Sequence, residues 1–216
     1  MRGVGRLHVL VGSAPGGGGA VEDLARLALR GGADVIQLRE KRRTTRERIA
    51  AALALSRLCR EAGARLVVND RLDIAIAADA GGVHLGIEDL PISVARALLG
   101  PDRLIGASAR TAREAEAAMW AGADYIGAGP VYATGSKADA GDPIGVGGLA
   151  EIAAAVEIPV VAIGGITVER VGELLGAGAW GIALIEAVAQ APDPEGMVRL
   201  LRGALQAKQP GGEHAR

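Results

Sequence analysis

The chain has 216 residues, a formal net charge of −1 and a hydrophobic fraction of 50%. This length is enough for one substantial core, and α/β barrels commonly form a single domain from about 200–250 residues. The charge balance argues against a general nucleic-acid binder, which needs an excess of basic residues to displace counterions from a polyanion. Because Phe is absent, we expect a core of Val, Ile, Leu and Ala, as is typical of parallel strands covered by helices.

Cysteine usage and hydropathy indicate a cytoplasmic protein. Cys59 is the single cysteine, so no internal disulfide can form, and its place in a helical pattern predicts a buried thiol. The segment Met1–Leu10 lacks the apolar block of a signal peptide, and no apolar run reaches the length of a membrane span. We therefore expect neither a membrane partner nor a nucleic-acid partner.

Eight short apolar runs recur along the chain, and each is followed by an amphipathic segment. The predicted strands are Leu7–Val11, Val35–Arg39, Arg65–Asn69, Gly82–Leu85, Leu104–Ser108, Tyr125–Ala128, Pro159–Ile163 and Gly181–Ile185. The predicted helices are Ala20–Arg30, Thr44–Ala62, Arg71–Ala78, Pro91–Leu99, Ala112–Ala121, Val146–Ala155, Val168–Leu175 and Pro194–Leu205. This alternation predicts βα units with right-handed crossovers around a parallel sheet.

Eight such units predict an α/β fold with a single (β/α)8 TIM barrel over residues 1–207. An open, doubly wound sheet is the alternative, since an error in one weak strand would disguise it. Gly16–Gly19 is interpreted as a flexible loop after the first strand, and residues 208–216 as a flexible C-terminal tail.

The segment from Gly127 to Lys137 carries the strongest functional signal. An apolar strand breaks at a Gly-Pro turn, and Thr134, Ser136 and Lys137 follow within four residues. Lysine supplies a compact positive charge, and the hydroxyl groups and backbone amides supply directed donors. This content at the end of a buried strand predicts a phosphate or diphosphate site.

The second strand ends in polar residues at alternate positions, namely Gln37, Arg39 and Lys41. A period of two places all three on one side of an extended strand, facing the barrel interior. Two cations there need an anion or a carboxylate to offset their desolvation. We favour a bound anion over a salt-bridged plug, because the run ends at the rim where barrel active sites lie.

Carboxylates follow the third and fourth strands, as Asp70 after Asn69 and as Asp89 five positions after His84. Carboxylates at adjacent rims together with substrate phosphate oxygens suit magnesium. The alternative is that Asp70 and Asp89 cap the helices that follow them. The spacing does not decide between these two interpretations. His84 alone is weak evidence, since a packed, hydrogen-bonded histidine has the same pattern.

The remaining rim residues point to phosphate rather than to hydrolysis. Ser108 ends the fifth strand without a visible general base, so a hydrolase triad is not expected. Gly164 and Gly165 follow the seventh strand, and backbone amides after strands seven and eight form the usual phosphate site of this fold.

Five motifs occur in order along the chain, namely Gln37-Leu-Arg39-Glu-Lys41, Asn69-Asp70, His84-Leu-Gly, Gly129-Pro-Val-Tyr-Ala-Thr134-Gly-Ser136-Lys137 and Ala162-Ile-Gly-Gly-Ile166. In these motifs and their order, over about Leu7 to Leu205, the chain resembles the thiamine-phosphate synthases. The resemblance implies a transferase that condenses hydroxymethylpyrimidine diphosphate with thiazole phosphate to give thiamine phosphate and pyrophosphate. It also implies a dissociative step assisted by Mg²⁺, so that the protein supplies charge stabilisation rather than a nucleophile.

The resemblance also implies roles for single residues. The diphosphate and pyrimidine end would be held by Gln37, Arg39, Lys41 and Asn69, the metal by Asp70 and Asp89, and the departing pyrophosphate by Ser108 and Lys137. Arg39, Ser108 and Lys137 would thus be the catalytic residues. The thiazole phosphate would be held by Thr134, Ser136, Gly164 and the amides around Ile185 and Glu186. The implied partners are these small-molecule substrates, and a homo-oligomer is possible.

Two departures from the family pattern keep alternatives open. Relatives usually have serine at the position of Glu186, and many have histidine at the position of Arg110. One alternative is a thiazole tautomerase on the same barrel, although arginine is a poor proton shuttle and that branch tends to lose the diphosphate cations present here. Others are a non-catalytic phosphate-ligand-binding regulator and another barrel enzyme acting on a phosphorylated metabolite.

Overall fold

A computed structural model describes residues 3–13, 21–135 and 141–207. Eight parallel strands close into a barrel in chain order, with the first strand paired to the last. They are β1 Leu7–Val11, β2 Val35–Leu38, β3 Arg65–Asn69, β4 Gly82–Leu85, β5 Leu104–Ala109, β6 Tyr125–Ala128, β7 Val160–Ile163 and β8 Gly181–Leu184. The predicted (β/α)8 barrel is confirmed, and the open-sheet alternative is wrong.

Helices follow the strands around the outside of the barrel. They are α1 Val21–Gly31, α2 Thr45–Glu61, α3 Leu72–Ala77, α4 Ile92–Leu99, α5 Ala112–Trp120, α6 Gly145–Ala155, α7 Val171–Gly176, α8 Glu186–Ala189 and α9 Pro194–Ala207, with a 3₁₀ turn at Val168–Arg170 before α7. The predicted ends agree to within two residues, except that the 3₁₀ turn replaces the start of the seventh helix and that α8 was not predicted.

Local sequence explains where helix α2 begins. Thr44 Oγ1 accepts a hydrogen bond from the Glu47 amide at 3.3 Å, and Glu47 Oε2 accepts one from the Thr44 amide at 2.8 Å. This reciprocal capping box satisfies two amides that the first helical turn leaves without partners. It fixes the start of α2 directly after the loop that carries Lys41.

The hydrophobic core has two layers. Alternate strand residues such as Val9 and Ile36 face the helices, whereas Leu10, Leu104, Tyr125 and Val161 form a smaller cluster within the barrel. Filling of the interior by side chains is the usual state of an eight-stranded barrel. The functional cavity therefore lies at the ends of the strands rather than along the barrel axis.

Cys59 lies in α2 and is buried, as the sequence predicts. Burial raises the pKa of its thiol to about 12, so the thiolate that would react with oxidants or metals is not formed near neutral pH. Among the described helices, none is long and apolar enough to cross a membrane. The predicted tail at 208–216 and the glycine run at 16–19 lie outside the described residues.

Candidate active site

A cavity of about 820 Å³ opens at the carboxyl ends of the strands. The predicted site residues that line it are Arg39, Lys41, Asn69, Asp70, Asp89, Ser108, Thr134, Gly164, Ile185 and Glu186. Gln37 is buried below and is not among the described residues of the cavity wall. Ser136 and Lys137 lie outside the described residues, so their predicted roles stay predictions.

The loop after β2 presents its two cations to the cavity because the residue between them is held elsewhere. Glu40 accepts hydrogen bonds from the Ser13 and Arg42 amides, both at 2.9 Å, and from Ser13 Oγ. Burial alone would raise the pKa of Glu40, but these hydrogen bonds outweigh it and lower the pKa. Glu40 thus stays ionised and ties the end of β1 to the loop that carries Arg39 and Lys41.

Glu40 was not singled out from the sequence. The available signal was its position between Arg39 and Lys41. Side chains alternate along an extended chain, so Glu40 faces the side opposite to its two neighbours. Gly12 completes this junction, since a Cβ atom there would lie 2.1 Å from the Arg39 carbonyl oxygen.

The two predicted metal ligands meet at the rim. The carboxyl groups of Asp70 and Asp89 hydrogen-bond to each other, and Asp89 Oδ2 also accepts from the Gly86 amide at 2.7 Å. Burial, the hydrogen bond and the charge of Asp89 raise the pKa of Asp70 to about 6 against the opposing charges of Lys41 and Arg39. Such a pair is electrostatically short of positive charge.

The helix-capping alternative is not what the structure has. Helix α3 begins after Arg71 and α4 after Pro91, so these residues rather than Asp70 and Asp89 occupy the N-cap positions, and neither makes a side-chain capping hydrogen bond. Within the described residues, no group of three or more His, Cys, Asp or Glu side chains is placed to hold a metal. Two carboxylates are the protein share expected at a magnesium site completed by substrate phosphate and water.

A hydrogen-bonded network crosses the barrel beneath the cavity. His84 Nε2 lies 3.0 Å from Ser108 Oγ, and His84 Nδ1 lies 3.1 Å from the Tyr125 hydroxyl oxygen. Burial raises the pKa of Tyr125, and the buried Gln37 side chain acts to lower it. His84 is thus a packed, hydrogen-bonded histidine, and Ser108 is the member of the network that reaches the cavity wall.

On the opposite side of the cavity, backbone hydrogen bonds join the loops after β6 and β7. The Val131 amide donates to the Ile163 carbonyl at 2.8 Å, and the Tyr132 amide donates to the Gly164 carbonyl at 3.1 Å. Gly164 has φ +99°, and a Cβ atom there would lie 2.6 Å from Pro130 Cβ. Only glycine fits both the backbone angle and the close approach of the two loops.

Side-chain contacts also stabilise this junction between the loops after β6 and β7. Tyr132 Oη donates to Glu173 Oε2 at 2.9 Å, and the Arg170 guanidinium lies 4.1 Å from the centre of the Tyr132 ring. Arg170 Nη1 also donates to the Gly165 carbonyl. Sequence reasoning missed this cluster, because its members come from two loops and a helix, and their partners are not set by local spacing.

The loop that carries Thr134 is closed at its base. The Ile144 amide donates to the Pro130 carbonyl at 2.8 Å, and the Gly145 amide donates to the Val131 carbonyl at 3.1 Å. Arg110, which also lines the cavity, donates from Nη2 to the Asp142 carbonyl at 2.8 Å. Both ends of the segment that contains residues 136–140 are therefore held beside the cavity.

Beyond β8, Ile185 and Glu186 line the cavity at the start of the four-residue helix α8. A short extra helix at this place, together with the loop after the seventh strand, forms the common phosphate site of eight-stranded barrels. The sequence analysis missed α8 because four residues are too few to establish a helical period.

Comparison with known proteins places the chain among enzymes of one family. A sequence model described as thiamine monophosphate synthase matches residues 7–188. A thiamine-phosphate synthase of Moorella thermoacetica is 50% identical over 196 residues, which cover 91% of this chain and 93% of that protein. One of Methanoculleus marisnigri is 49% identical over 201 residues, covering 93% and 95%. The solved thiamine phosphate pyrophosphorylase of Pyrococcus furiosus superposes with a TM-score of 0.84 at 42% identity, covering 94% and 96%.

Proposed function

The chain belongs to the thiamine monophosphate synthase family, and we propose that it is a transferase that makes thiamine phosphate from hydroxymethylpyrimidine diphosphate and thiazole phosphate. In this reaction the bond between the pyrimidine methylene carbon and the diphosphate oxygen breaks, and its electron pair leaves with pyrophosphate. The thiazole nitrogen lone pair then forms the new carbon–nitrogen bond. The observation that carries the proposal is one cavity that combines a cluster of cations and carboxylates with the glycine turn after β7.

The diphosphate end is assigned to the side formed by the loops after β2, β3 and β4. Arg39 and Lys41 line this side and would offset the negative charge of the diphosphate, while Asn69 and Ser108 offer uncharged donors. A magnesium ion held by Asp70 and Asp89 would supply further positive charge to the leaving group. Lys137 is proposed to reach the leaving pyrophosphate from the loop after β6.

The thiazole phosphate is assigned to the other side of the cavity. The turn at Gly164 and the amides at Ile185 and Glu186 provide backbone donors there, and Thr134 and Ser136 are proposed to add hydroxyl groups. Glu186 lies in the same wall, and a carboxylate about 5 Å from a bound phosphate would oppose it by a few kcal/mol with an effective dielectric constant near 20. We propose that the amide of Glu186 binds while its side chain weakens the site.

A dissociative step suits this set of residues. The cavity wall offers several donors and cations, and Ser108 is paired with a histidine whose other ring nitrogen contacts a phenol rather than a carboxylate. The protein would thus stabilise the charge that leaves with pyrophosphate and hold the two substrates in line. A cytoplasmic location is part of the proposal and is supported by the single buried Cys59. The homo-oligomer stays a prediction.

The test is to mix the purified protein with both substrates and magnesium and to measure thiamine phosphate by thiochrome fluorescence. We expect product formation that depends on magnesium and falls strongly in Lys137→Ala, whereas Lys208→Ala, the same change in the predicted tail, retains activity. Folded protein that binds both ligands without product would contradict the proposal in favour of a regulator. Isomerisation of a carboxythiazole phosphate without condensation would identify a tautomerase instead.

A further inference from the structure

We infer that Tyr125 and His84 form a hydrogen-bond relay that fixes Ser108 as a donor to the anion in the cavity. These two buried residues are positioning residues, since Ser108 is the member of the network that reaches the cavity. The identity of the anion as a diphosphate rests on the proposed function. The direction of the relay is a property of the folded chain itself.

The strand register brings the relay together. His84 in β4 pairs with Gly106 in β5, and Gly106 pairs with Tyr125 in β6, so the three residues occupy one layer of the barrel. A Cβ atom on Gly106 would lie 2.1 Å from Tyr125 Cζ and 2.5 Å from His84 Nδ1. The missing side chain at Gly106 is what lets the phenol and the imidazole meet.

A second glycine makes room one layer higher. Gly127 in β6 pairs with Ser108 in β5, and a Cβ atom on Gly127 would lie 2.8 Å from His84 Cε1. The imidazole can therefore reach up to Ser108 Oγ while its other nitrogen contacts the phenol. Two glycines on adjacent strands thus define a slot that holds the His84 ring in one orientation.

The direction of each hydrogen bond follows from the buried phenol. Its hydrogen needs an acceptor away from water, and His84 Nδ1, 3.1 Å from the phenol oxygen, is the ring nitrogen placed to accept it. The phenol therefore donates to Nδ1, and neutral His84 carries its hydrogen on Nε2. Nε2–H donates to Ser108 Oγ, and the serine hydrogen remains available to the cavity.

The surroundings protect this arrangement from competing partners. Tyr125 is 1% exposed, so bulk water does not reach its phenol. The neighbouring His8 ring packs edge-on against Tyr125, and its Nε2 hydrogen-bonds to the Gly5 carbonyl at 2.9 Å. His8 is thereby engaged away from the relay, and the relay keeps a single polarity.

The polarity matters for an anion. If His84 carried its hydrogen on Nδ1, Ser108 would donate to Nε2 and turn its lone pairs to the cavity, where they would repel phosphate oxygens. With the hydrogen on Nε2, Ser108 offers a donor whose strength increases as negative charge builds on the leaving group. The relay would therefore contribute to turnover without touching the substrates.

The first test reads the relay directly, with no substrate present. Long-range proton–nitrogen NMR spectra of the ¹⁵N-histidine-labelled full chain report which ring nitrogen of each histidine carries hydrogen, and loss of signals in His84→Gln assigns His84. We expect the Nε2–H form in the unmodified protein. The Nδ1–H form would overturn the inference whatever the protein catalyses.

The second test asks whether Tyr125 acts through Ser108. Tyr125→Phe removes one oxygen atom and keeps the ring, and thermal unfolding checks that the variant folds. We expect it to lower kcat about tenfold with little change in the KM values, and to cost less than about twofold in a Ser108→Ala background. Paired with Lys137→Ala, the same change should keep its full effect. An equal loss in all three backgrounds, or none in the unmodified protein, would overturn the relay.

Discussion

The carboxyl groups of Asp70 and Asp89 share a hydrogen bond at the ends of neighbouring strands β3 and β4. Asp70 adopts φ +64°, which turns its side chain at the strand end, and the Gly86 amide holds Asp89. A carboxyl–carboxyl hydrogen bond needs one proton, and a divalent cation between the same oxygens replaces it. Proton and metal are therefore expected to compete for one place.

The raised pKa of Asp70 predicts how this pair affects stability. Because the folded pKa of about 6 exceeds the unfolded value of about 3.9, ionised Asp70 destabilises the metal-free protein above pH 6, and the penalty disappears as pH falls toward 4. Asp70→Asn should raise the free energy of unfolding at pH 7.5 by about 1 kcal/mol, after allowance for solvent screening of the half-buried pair. It should have little effect at pH 4.5.

Urea unfolding at the two pH values without magnesium measures this difference. The exposed Asp102 offers the matched control, and Asp102→Asn should change neither value. Titration with magnesium should stabilise the unmodified protein at pH 7.5 and stabilise Asp70→Asn much less. Equal stability of Asp70→Asn and the unmodified protein at pH 7.5 would rule out a strained carboxylate pair.

Replacement of Glu186 should improve the binding of thiazole phosphate. Glu186 lies in the wall of the cavity at the start of α8, and its charge opposes a phosphate there. Glu186→Ser should lower the KM for thiazole phosphate about fivefold, because solvent screens the charge of this half-buried residue and reduces the repulsion to about 1 kcal/mol. The KM for the diphosphate substrate should stay constant. Glu186→Gln separates charge from size and should give most of the same gain. Unchanged steady-state KM values would mean that the carboxylate points away from the phosphate.

The glycine turn after β7 should not tolerate a side chain. Gly164→Ala puts a Cβ atom 2.6 Å from Pro130 Cβ at a left-handed φ, so we expect it to lower the free energy of unfolding by about 1–3 kcal/mol. The same substitution at Gly147 in α6 meets no atom within 4 Å and should raise stability by about 0.5–1 kcal/mol. Chemical denaturation compares the two variants, and effects of equal sign would contradict the argument.

The phenol of Tyr132 should matter for the thiazole side alone. Tyr132→Phe removes the hydrogen bond to Glu173 but keeps the ring beneath Arg170, so we expect the KM for thiazole phosphate to rise about threefold at unchanged kcat. Tyr132→Ala also removes the ring and should raise the KM further. Steady-state kinetics with each substrate varied in turn makes the comparison. An equal rise in the KM for the diphosphate substrate would mean general loosening of the site.

The sequence was sufficient for features that depend on short periods. The strands appear as aliphatic runs because parallel strands are buried on both faces. The alternation of β2, continued past its end at Leu38, correctly separates Arg39 and Lys41 from Glu40. Helix α8 was not predicted because its four residues are too few to show a helical repeat of hydrophobic residues. The position of a residue along the barrel axis could not be predicted either. Alternation assigns Gln37 to the barrel interior but does not show that it lies below the cavity wall.

Contacts between distant loops were out of reach for a different reason. Whether Asp70 caps a helix or meets Asp89 depends on one backbone angle at Asp70, and both outcomes fit the same spacing. The hydrogen-bond partner of Tyr125 comes from β4, and this pairing depends on the absence of a side chain at Gly106. Closure of the barrel sets such pairings, and closure is not a local property of the chain.

The empty positions at Gly106 and Gly127 constrain how this barrel can change over generations. A side chain at Gly106 collides with Tyr125 unless residue 125 has already become smaller, whereas a smaller residue 125 alone leaves a void beside His84. Either first step lowers stability, and only the second restores it. Positions 106 and 125 therefore form an epistatic pair, so lineages that differ at one of these two positions should also differ at the other.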